Sequence, residues 1–258
     1  MTLSKVFAIN ISVFCVIEIK NLTKIFDSSE TGAKKIAVDN LSFRINSGEI
    51  FGILGKNGAG KTTTIRMMTL QTQPTSGEIF FDNCSVEGNP EMIKQMIGVV
   101  PQHVNFDRDL TVVENMELHA RLHHLNREER QRRIQDLLKY VELTDVTNEN
   151  TGNLSGGMKR RLLIMRALIH RPKILFLDEP TVALDPQVRR RIWKLIQDLK
   201  GRGVTIIITT HYIEEAEQLC DRTALLKHGK LIALDTPANL CHFNNAANLE
   251  DVFIKLTG

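Results

Sequence analysis

Eight consecutive residues carry the strongest chemical signal in this chain. Gly55-Lys56-Asn57-Gly58-Ala59-Gly60-Lys61-Thr62 has the spacing G-x-x-x-x-G-K-[ST]. Each residue type has a physical reason to be there. The glycines let the backbone wrap tightly enough for several N–H groups to point at one phosphate chain. Lys61 reaches the β- and γ-phosphates, and the Thr62 hydroxyl can ligate Mg2+. A helix starting at this point aims its positive end at the anion. Thr63, the next residue, is grouped with the loop as a nucleotide contact. An apolar strand pattern leads in and a helical pattern leads out, which is the context the motif requires.

A second, acidic signal lies far downstream. Asp178 closes the apolar run Ile174-Leu175-Phe176-Leu177, and Glu179 follows it. An aspartate at the end of a buried strand beside a phosphate loop holds Mg2+ directly or through water. An adjacent glutamate polarises an attacking water. Alone, such a pair is as often a surface feature of a strand end. Downstream of a matched phosphate loop, the functional reading prevails.

These residues need elements to position them. Val16 to Leu22 and Ile36 to Ile45 read as antiparallel strands separated by the polar stretch Asp27-Ser28-Ser29-Glu30-Thr31-Gly32. Glu49 to Leu54 is a short apolar strand, Thr62 to Leu70 a helix, and Ile93 to Val100 another apolar stretch ended by Pro101. From about His103 to His170 the pattern is helical, with Ile134, Leu137, Leu138 and Val141 on one buried stripe. This region reads as a helical subdomain inserted into a sheet domain. Ile174–Leu177 is a continuous apolar strand, as expected of a sheet covered on both faces, and Val204–Ile208 reads as the next buried strand. Asp185-Pro186 reads as an N-cap with proline at N1. The helix it opens carries Ile192, Leu195, Ile196 and Leu199 on one face and stops at Gly201. His228-Gly229 sits between two apolar runs and marks a hairpin turn.

Composition sets the limits. A chain of 258 residues with 42% apolar content can bury a large core. Lys plus Arg exceed Asp plus Glu by 33 − 30, a net charge of +3, so charge alone gives no argument for a nucleic-acid partner. Cys15, Cys84, Cys220 and Cys241 are far apart with no C-x-x-C pair. A reducing compartment fits them better than a disulfide framework or a metal site. No apolar run reaches about 18–20 residues, so no membrane-crossing helix is expected. Val6 to Ile17 has a faint likeness to a signal segment but lacks a small-x-small cleavage site. A first strand with a leading extension is the plainer reading.

Leu154-Ser155-Gly156-Gly157, just ahead of the helical stretch Met158 to Ile169, resembles the signature sequence of ATP-binding cassette (ABC) transporters. Phe26, in Asn21-Leu22-Thr23-Lys24-Ile25-Phe26, resembles the family's adenine-stacking aromatic. Gln102, after Val99-Val100-Pro101, resembles its Q-loop glutamine, and Ala183-Leu184-Asp185 its D-loop. His211, after Thr209-Thr210, resembles its switch histidine. With the phosphate loop and Asp178-Glu179, these marks stand in the family's order from about Val16 to the C-terminus. Met158-Lys159-Arg160-Arg161 departs from the usual glutamine after the signature. That variant resembles the branch serving drug, lipid and polysaccharide exporters. So do Thr210-His211-Tyr212-Ile213-Glu214-Glu215-Ala216-Glu217 and Leu249-Glu250-Asp251-Val252-Phe253.

The resemblance implies an α/β fold: a P-loop NTPase core with a mixed or parallel sheet, an N-terminal antiparallel β-subdomain and an inserted α-helical subdomain. It divides the chain into an extension at 1–15 and one ATP-binding domain at 16–258. Within that domain the core would occupy 16–102 and 171–235, the helical subdomain 103–170, and a short tail 236–258. It implies a Mg-dependent ATPase binding ATP and Mg2+, with Glu179 and His211 catalytic. Phe26, Gly55 through Thr63 and Gln102 would meet the nucleotide, and Thr62, Gln102 and Asp178 the metal. In this family two cassettes close head to tail on two ATP molecules. Ser155, Gly156 and Gly157 would therefore complete a neighbour's site in trans, beside the D-loop Asp185. Every expected position is filled, which points to a homodimer, with pairing to a related chain as the other option. The implied function is the energising subunit of an exporter, held at the cytoplasmic face of the cell membrane through separate membrane subunits, with no nucleic-acid partner. A soluble ABC ATPase acting on DNA or ribosomes is the alternative, and a non-hydrolysing ATP-gated module a third. The single motif set opposes the former; Glu179 and His211 oppose the latter.

Other features receive plainer readings. His119, His123 and His124 read as a solvated helix face rather than a metal site. Arg127 through Arg133 also reads as a solvated face, with Glu128–Arg132 and Glu129–Arg133 pairs at i,i+4. Arg189-Arg190-Arg191 reads the same way, and Trp193 as core or a subunit contact.

Overall fold

The computed structural model describes residues 16–27 and 34–257. The extension at 1–15 with Cys15, nearly all of the Val6–Ile17 run, and the polar stretch beyond Asp27 lie outside the described residues.

β1 (Ile17–Asp27) and β2 (Lys34–Ile45) pair antiparallel, burying Val38, Leu41, Phe43 and Ile45 on one face of β2. β3 (Ile50–Leu54) leads through the glycine-rich loop into α1 (Lys61–Met68). β4 (Ser76–Phe81) and the short β5 (Cys84–Ser85) complete an antiparallel sheet of order β2-β1-β4-β5. α2 (Pro90–Met96) runs directly into β6 (Ile97–Val100). Next come α3 (Val112–Leu122), α4 (Arg127–Tyr140) and α5 (Gly156–Ala167). β7 (Ile174–Asp178), α6 (Pro186–Lys200), β8 (Thr205–Thr210) and α7 (Ile213–Leu219) follow. The hairpin β9 (Arg222–Lys227) and β10 (Lys230–Asp235) turns at His228-Gly229, both with positive φ. α8 (Pro237–Phe243) and α9 (Leu249–Thr257) end the described chain.

The second sheet has the order β10-β9-β3-β8-β7-β6 and is parallel from β9 to β6. Every residue of β3, β7 and β8 is buried, as a strand covered on both faces must be. Side chains alternate between two cores. Leu175, Leu177, Ile206 and Ile208 face one, with α3, α4, α5 and the C-terminal helices. Ile174, Phe176 and Ile207 face the other, with the antiparallel sheet and α1.

The register positions the chemistry. Leu54 stands opposite Thr210, Asp178 opposite Thr209, and Val100 opposite Leu177. Four adjacent strands therefore end level with one another. The segments leaving them are the glycine-rich loop, His211, Glu179 and Gln102. In open α/β sheets, ligands bind outside these carboxyl ends.

Three expectations need correction. The apolar stretch Ile93–Val100 is divided: Asn89-Pro90 starts a helix, which gives way to strand at Ile97. The helical pattern assigned from His103 begins only at Val112, where Thr111 and Glu114 form a reciprocal capping box. The charge run on α4 is not wholly solvated, because Arg133 is 1% exposed. Its guanidinium donates to the carbonyls of Leu168 and Ile169 just past the end of α5, which carry that helix's negative end. Glu129 meets Arg171 at 3.5 Å. Among the described residues, no helix is long and apolar enough to cross a membrane.

Beyond these three, the solvated reading of the histidines holds only for His124: His119 on α3 and His123, its C-cap, are half-buried toward the end of α5. His123 stacks on His170 with ring centroids 3.8 Å apart, and His170 Nε2 donates to the Ile97 carbonyl. Burial, reinforced by His123, pulls His170 down from 6.5 to about 4. Burial, with Arg166 and His123 nearby, does the same to His119. An unfolded chain takes up these protons near pH 6.5, whereas the folded chain resists until about pH 4. This stabilisation is therefore intact above about pH 6.5 and is lost as pH falls toward 4. Urea unfolding measured across that window should show falling stability, with a shallower slope in His170→Asn.

Candidate functional site

The turn after β3 requires glycine where the chain crowds itself. Gly60 has φ +102°, and a Cβ there would stand 2.5 Å from the Ala37 carbonyl oxygen. Gly60 is also the N-cap of α1, whose first residue is Lys61. Lys61 is 4% exposed and bends back over the loop. Its Nζ donates to the Gly55 carbonyl at 2.9 Å and the Lys56 carbonyl at 3.4 Å.

The same ammonium lies 3.3 Å from Glu179 Oε1. Glu179 is 6% exposed and collects polar groups from three other strand ends. His211 Nδ1 is 3.2 Å from Oε1, and Gln102 Nε2 donates to Oε2 at 3.2 Å. Glu179 has φ +47°, a strained backbone for a residue with a side chain. Its N–H donates to both the carbonyl and the hydroxyl of Thr209. Thr62 Oγ1 donates to Asp178 Oδ1 at 3.1 Å, and Thr209 Oγ1 donates to the same oxygen. A hydroxyl and a carboxylate meeting at a strand end are hard oxygen donors. They suit Mg2+, which takes few protein ligands and completes its shell with phosphate and water.

These groups surround a cavity of about 820 Å3. Asn57 through Thr63 form one wall, Gln102, Glu179 and His211 another, and Phe26, Lys35 and Ala37 of the antiparallel sheet a third. Phe26 and Lys35 are cross-strand neighbours, and Phe26 is 42% exposed, its ring accessible for stacking. Asp178 lies behind Thr62, and Gly55 beneath Lys61. Lys56 lines a separate, smaller cavity beside Leu226 and His228.

Four further sequence candidates stand apart from this cavity. Ser155 is the N-cap of α5, its Oγ accepting from Met158 N at 3.2 Å. Gly157 is packed so closely on α6 that a Cβ would lie 2.7 Å from Val188 Cγ1. Gly156 is exposed beside them. Asp185 caps α6, one oxygen accepting from the N–H groups of Gln187 and Val188. Met158 is partly buried against the core.

Sequence reasoning did not single out Thr209 or Lys35. Thr209 was visible only as part of the approach to His211; its role comes from β8 lying beside β7. Lys35 had no local signal, because it faces the cavity only through its pairing with Phe26.

The sequence matches the protein family described as "ABC transporter" over residues 38–182. Among curated relatives, the Nod factor export ATP-binding protein I of Burkholderia lata is 39% identical over 237 residues, spanning 92% of this chain and 76% of that protein. The protein of the same name from Rhizobium etli is 44% identical over 214 residues, spanning 83% of this chain and 68% of the relative. Among solved structures, a dimeric ATP-binding cassette in a post-hydrolysis state with ADP and Pi superposes with a TM-score of 0.77 at 32% identity, covering 85% of this chain and 98% of that one. An ATP-binding subunit of an ABC transporter superposes with a TM-score of 0.81 at 26% identity, covering 94% of this chain and all of the other.

Thr209 is the shared support of both carboxylate-bearing residues. Removing its hydroxyl leaves Asp178 short of a buried donor. Thr209→Val should lower the unfolding free energy by about 1–3 kcal/mol, read as a reduced urea midpoint at unchanged slope.

Proposed function

The chain belongs to the ABC transporter family as an ATP-binding subunit, and on that premise we propose how its pocket works and what it drives. The observation that carries the reading is the convergence of Lys61, Gln102 and His211 on the buried Glu179 carboxylate at the mouth of the phosphate loop. Phe26 stacks the adenine. The loop N–H groups from Asn57 to Thr63 and the start of α1 take the phosphates. Lys61 holds the β- and γ-phosphates as a point charge. Glu179 orients and polarises the attacking water, and His211 steadies the γ-phosphate and that geometry. Thr62, Asp178 and Gln102 would hold Mg2+, which when bound neutralises phosphate charge.

The active unit is a homodimer with ATP between the subunits. Support comes from the signature segment lying outside the cavity of its own chain and from the dimeric state of the related cassettes. Ser155 uses an oxygen lone pair to cap α5, which leaves its O–H to donate outward. With the N–H groups of Gly156 and Gly157 and the positive end of α5, it offers a γ-phosphate site to the neighbour. Closure of the dimer on ATP drives separate membrane subunits, and the chain is held at the cytoplasmic membrane face through them. The names of the relatives support export as the direction.

Two substitutions separate binding from chemistry. Glu179→Gln should retain ATP affinity and lower kcat by roughly 10²–10⁴, measured as steady-state phosphate release. Unchanged hydrolysis contradicts the role given to Glu179. Lys61→Ala should weaken ATP binding itself, measured by equilibrium titration, and full affinity in that variant contradicts the cradle assignment.

A further inference from the structure

One fully buried carboxylate takes no part in the chemistry above. Glu215 on α7 is 0% exposed. Its Oε1 accepts from Thr181 Oγ1 at 2.7 Å and from Trp193 Nε1 at 3.0 Å, while Oε2 has no hydrogen-bond partner. Burying a carboxylate is costly, and two neutral donors on one oxygen offset only part of that. An apolar side chain would fill the same space more cheaply, so the reason for a carboxylate lies in what it holds.

Its partners come from segments that must keep register for hydrolysis. Thr181 stands two residues past Glu179. Trp193 is on α6, the helix capped by Asp185. Glu215 itself is four residues past His211, on the helix that begins directly after the histidine's neighbour Tyr212. The stretch from Glu179 to Leu184 carries backbone strain, since Glu179 and Ala183 hold φ of +47° and +58°, and the turn hydrogen bonds within it, Val182 N–H to the Glu179 carbonyl and Leu184 N–H to the Thr181 carbonyl, are long at 3.3 Å each. Thr209 grips it at Glu179, and Glu215 grips it at Thr181. A charged neighbour extends the arrangement. Arg160 on α5 forks onto the carbonyls of Pro101 and Gln102. Burial lowers its pKa, and the Asp178 and Glu215 carboxylates act against that.

We propose that Glu215 is a positioning residue that holds Glu179 in register with His211, bracing the strained segment that carries the base from the helix that follows the histidine. It touches no substrate; it acts through Thr181 and Trp193. The inference rests on the roles proposed above for Glu179 and His211.

The test is steady-state ATP hydrolysis by the full chain, with nucleotide affinity measured separately by titration. Glu215→Leu should lower kcat roughly a hundredfold, and Thr181→Val and Trp193→Phe roughly tenfold each. KM for ATP should stay within about threefold, the pattern of an interaction needed in the transition state rather than for binding. Glu215→Gln, which keeps an oxygen acceptor for both donors, should stay within about threefold of the unsubstituted chain in kcat. If Glu215→Leu does not fold, Thr181→Val and Trp193→Phe carry the test. Unchanged kcat in those two, a rise in KM without a fall in kcat, or a Glu215→Gln variant as slow as Glu215→Leu overturns the proposal. Unchanged hydrolysis in Glu179→Gln sinks the parent reading as well. A slow Glu179→Gln beside normal Thr181→Val and Trp193→Phe sinks only this inference.

Discussion

A lysine and a glutamate, each under a tenth exposed, face one another at 3.3 Å where the parallel strands end. Removing two such charges from water is expensive, and their attraction in the interior does not reliably offset it. The Lys61–Glu179 pair is therefore weak as a source of stability and informative about chemistry. In the proposed reaction both groups are placed in advance at a buried position, where electrostatic effects on a phosphate are stronger than in water. Much of the surrounding architecture serves to keep them there.

That placement follows from strand order before it follows from any single side chain. β3, β8, β7 and β6 are neighbours in register, so four chain exits open on one edge of the sheet. Successive apolar side chains along those strands point to opposite faces, packing two cores that clamp the edge between them. Backbone strain at Glu179 is tolerated because Thr209 fixes both its N–H and the adjacent Asp178. Caps do the corresponding work on the helices. Ser155 and Asp185 each finish a helix N-terminus with side-chain oxygen, which fixes segments 154–157 and 183–185 at the starts of α5 and α6.

Legibility in the sequence tracked how local each cause is. The phosphate loop, the Asp185-Pro186 cap, the hairpin at His228-Gly229 and the stripe through Ile134, Leu137, Leu138 and Val141 depend on neighbours within a few residues, and all stand where the pattern puts them. β1 was legible only to Leu22, because the register shifts beyond Ile19 and Asn21 takes φ +49°, which breaks the alternation. Arg133 looked like any charge on a polar helix; its burial depends on the end of α5 lying above it, which no spacing within α4 encodes. Thr209 and Glu215 stood in the sequence only as members of the segments quoted around His211, and Lys35 had no signal at all; what each holds was hidden for the same reason. Each acts on a partner brought near by the sheet or by helix packing, not by sequence separation.

In the proposed dimer each subunit completes the other's nucleotide site. Sedimentation velocity on the Glu179→Gln chain, with and without ATP, tests this most directly when paired with the same chain carrying Ser155→Arg. Nucleotide should convert Glu179→Gln to a dimer, and the arginine should keep the doubly substituted chain monomeric. A Glu179→Gln chain that stays monomeric with ATP bound, or a dimer indifferent to Ser155→Arg, would contradict it.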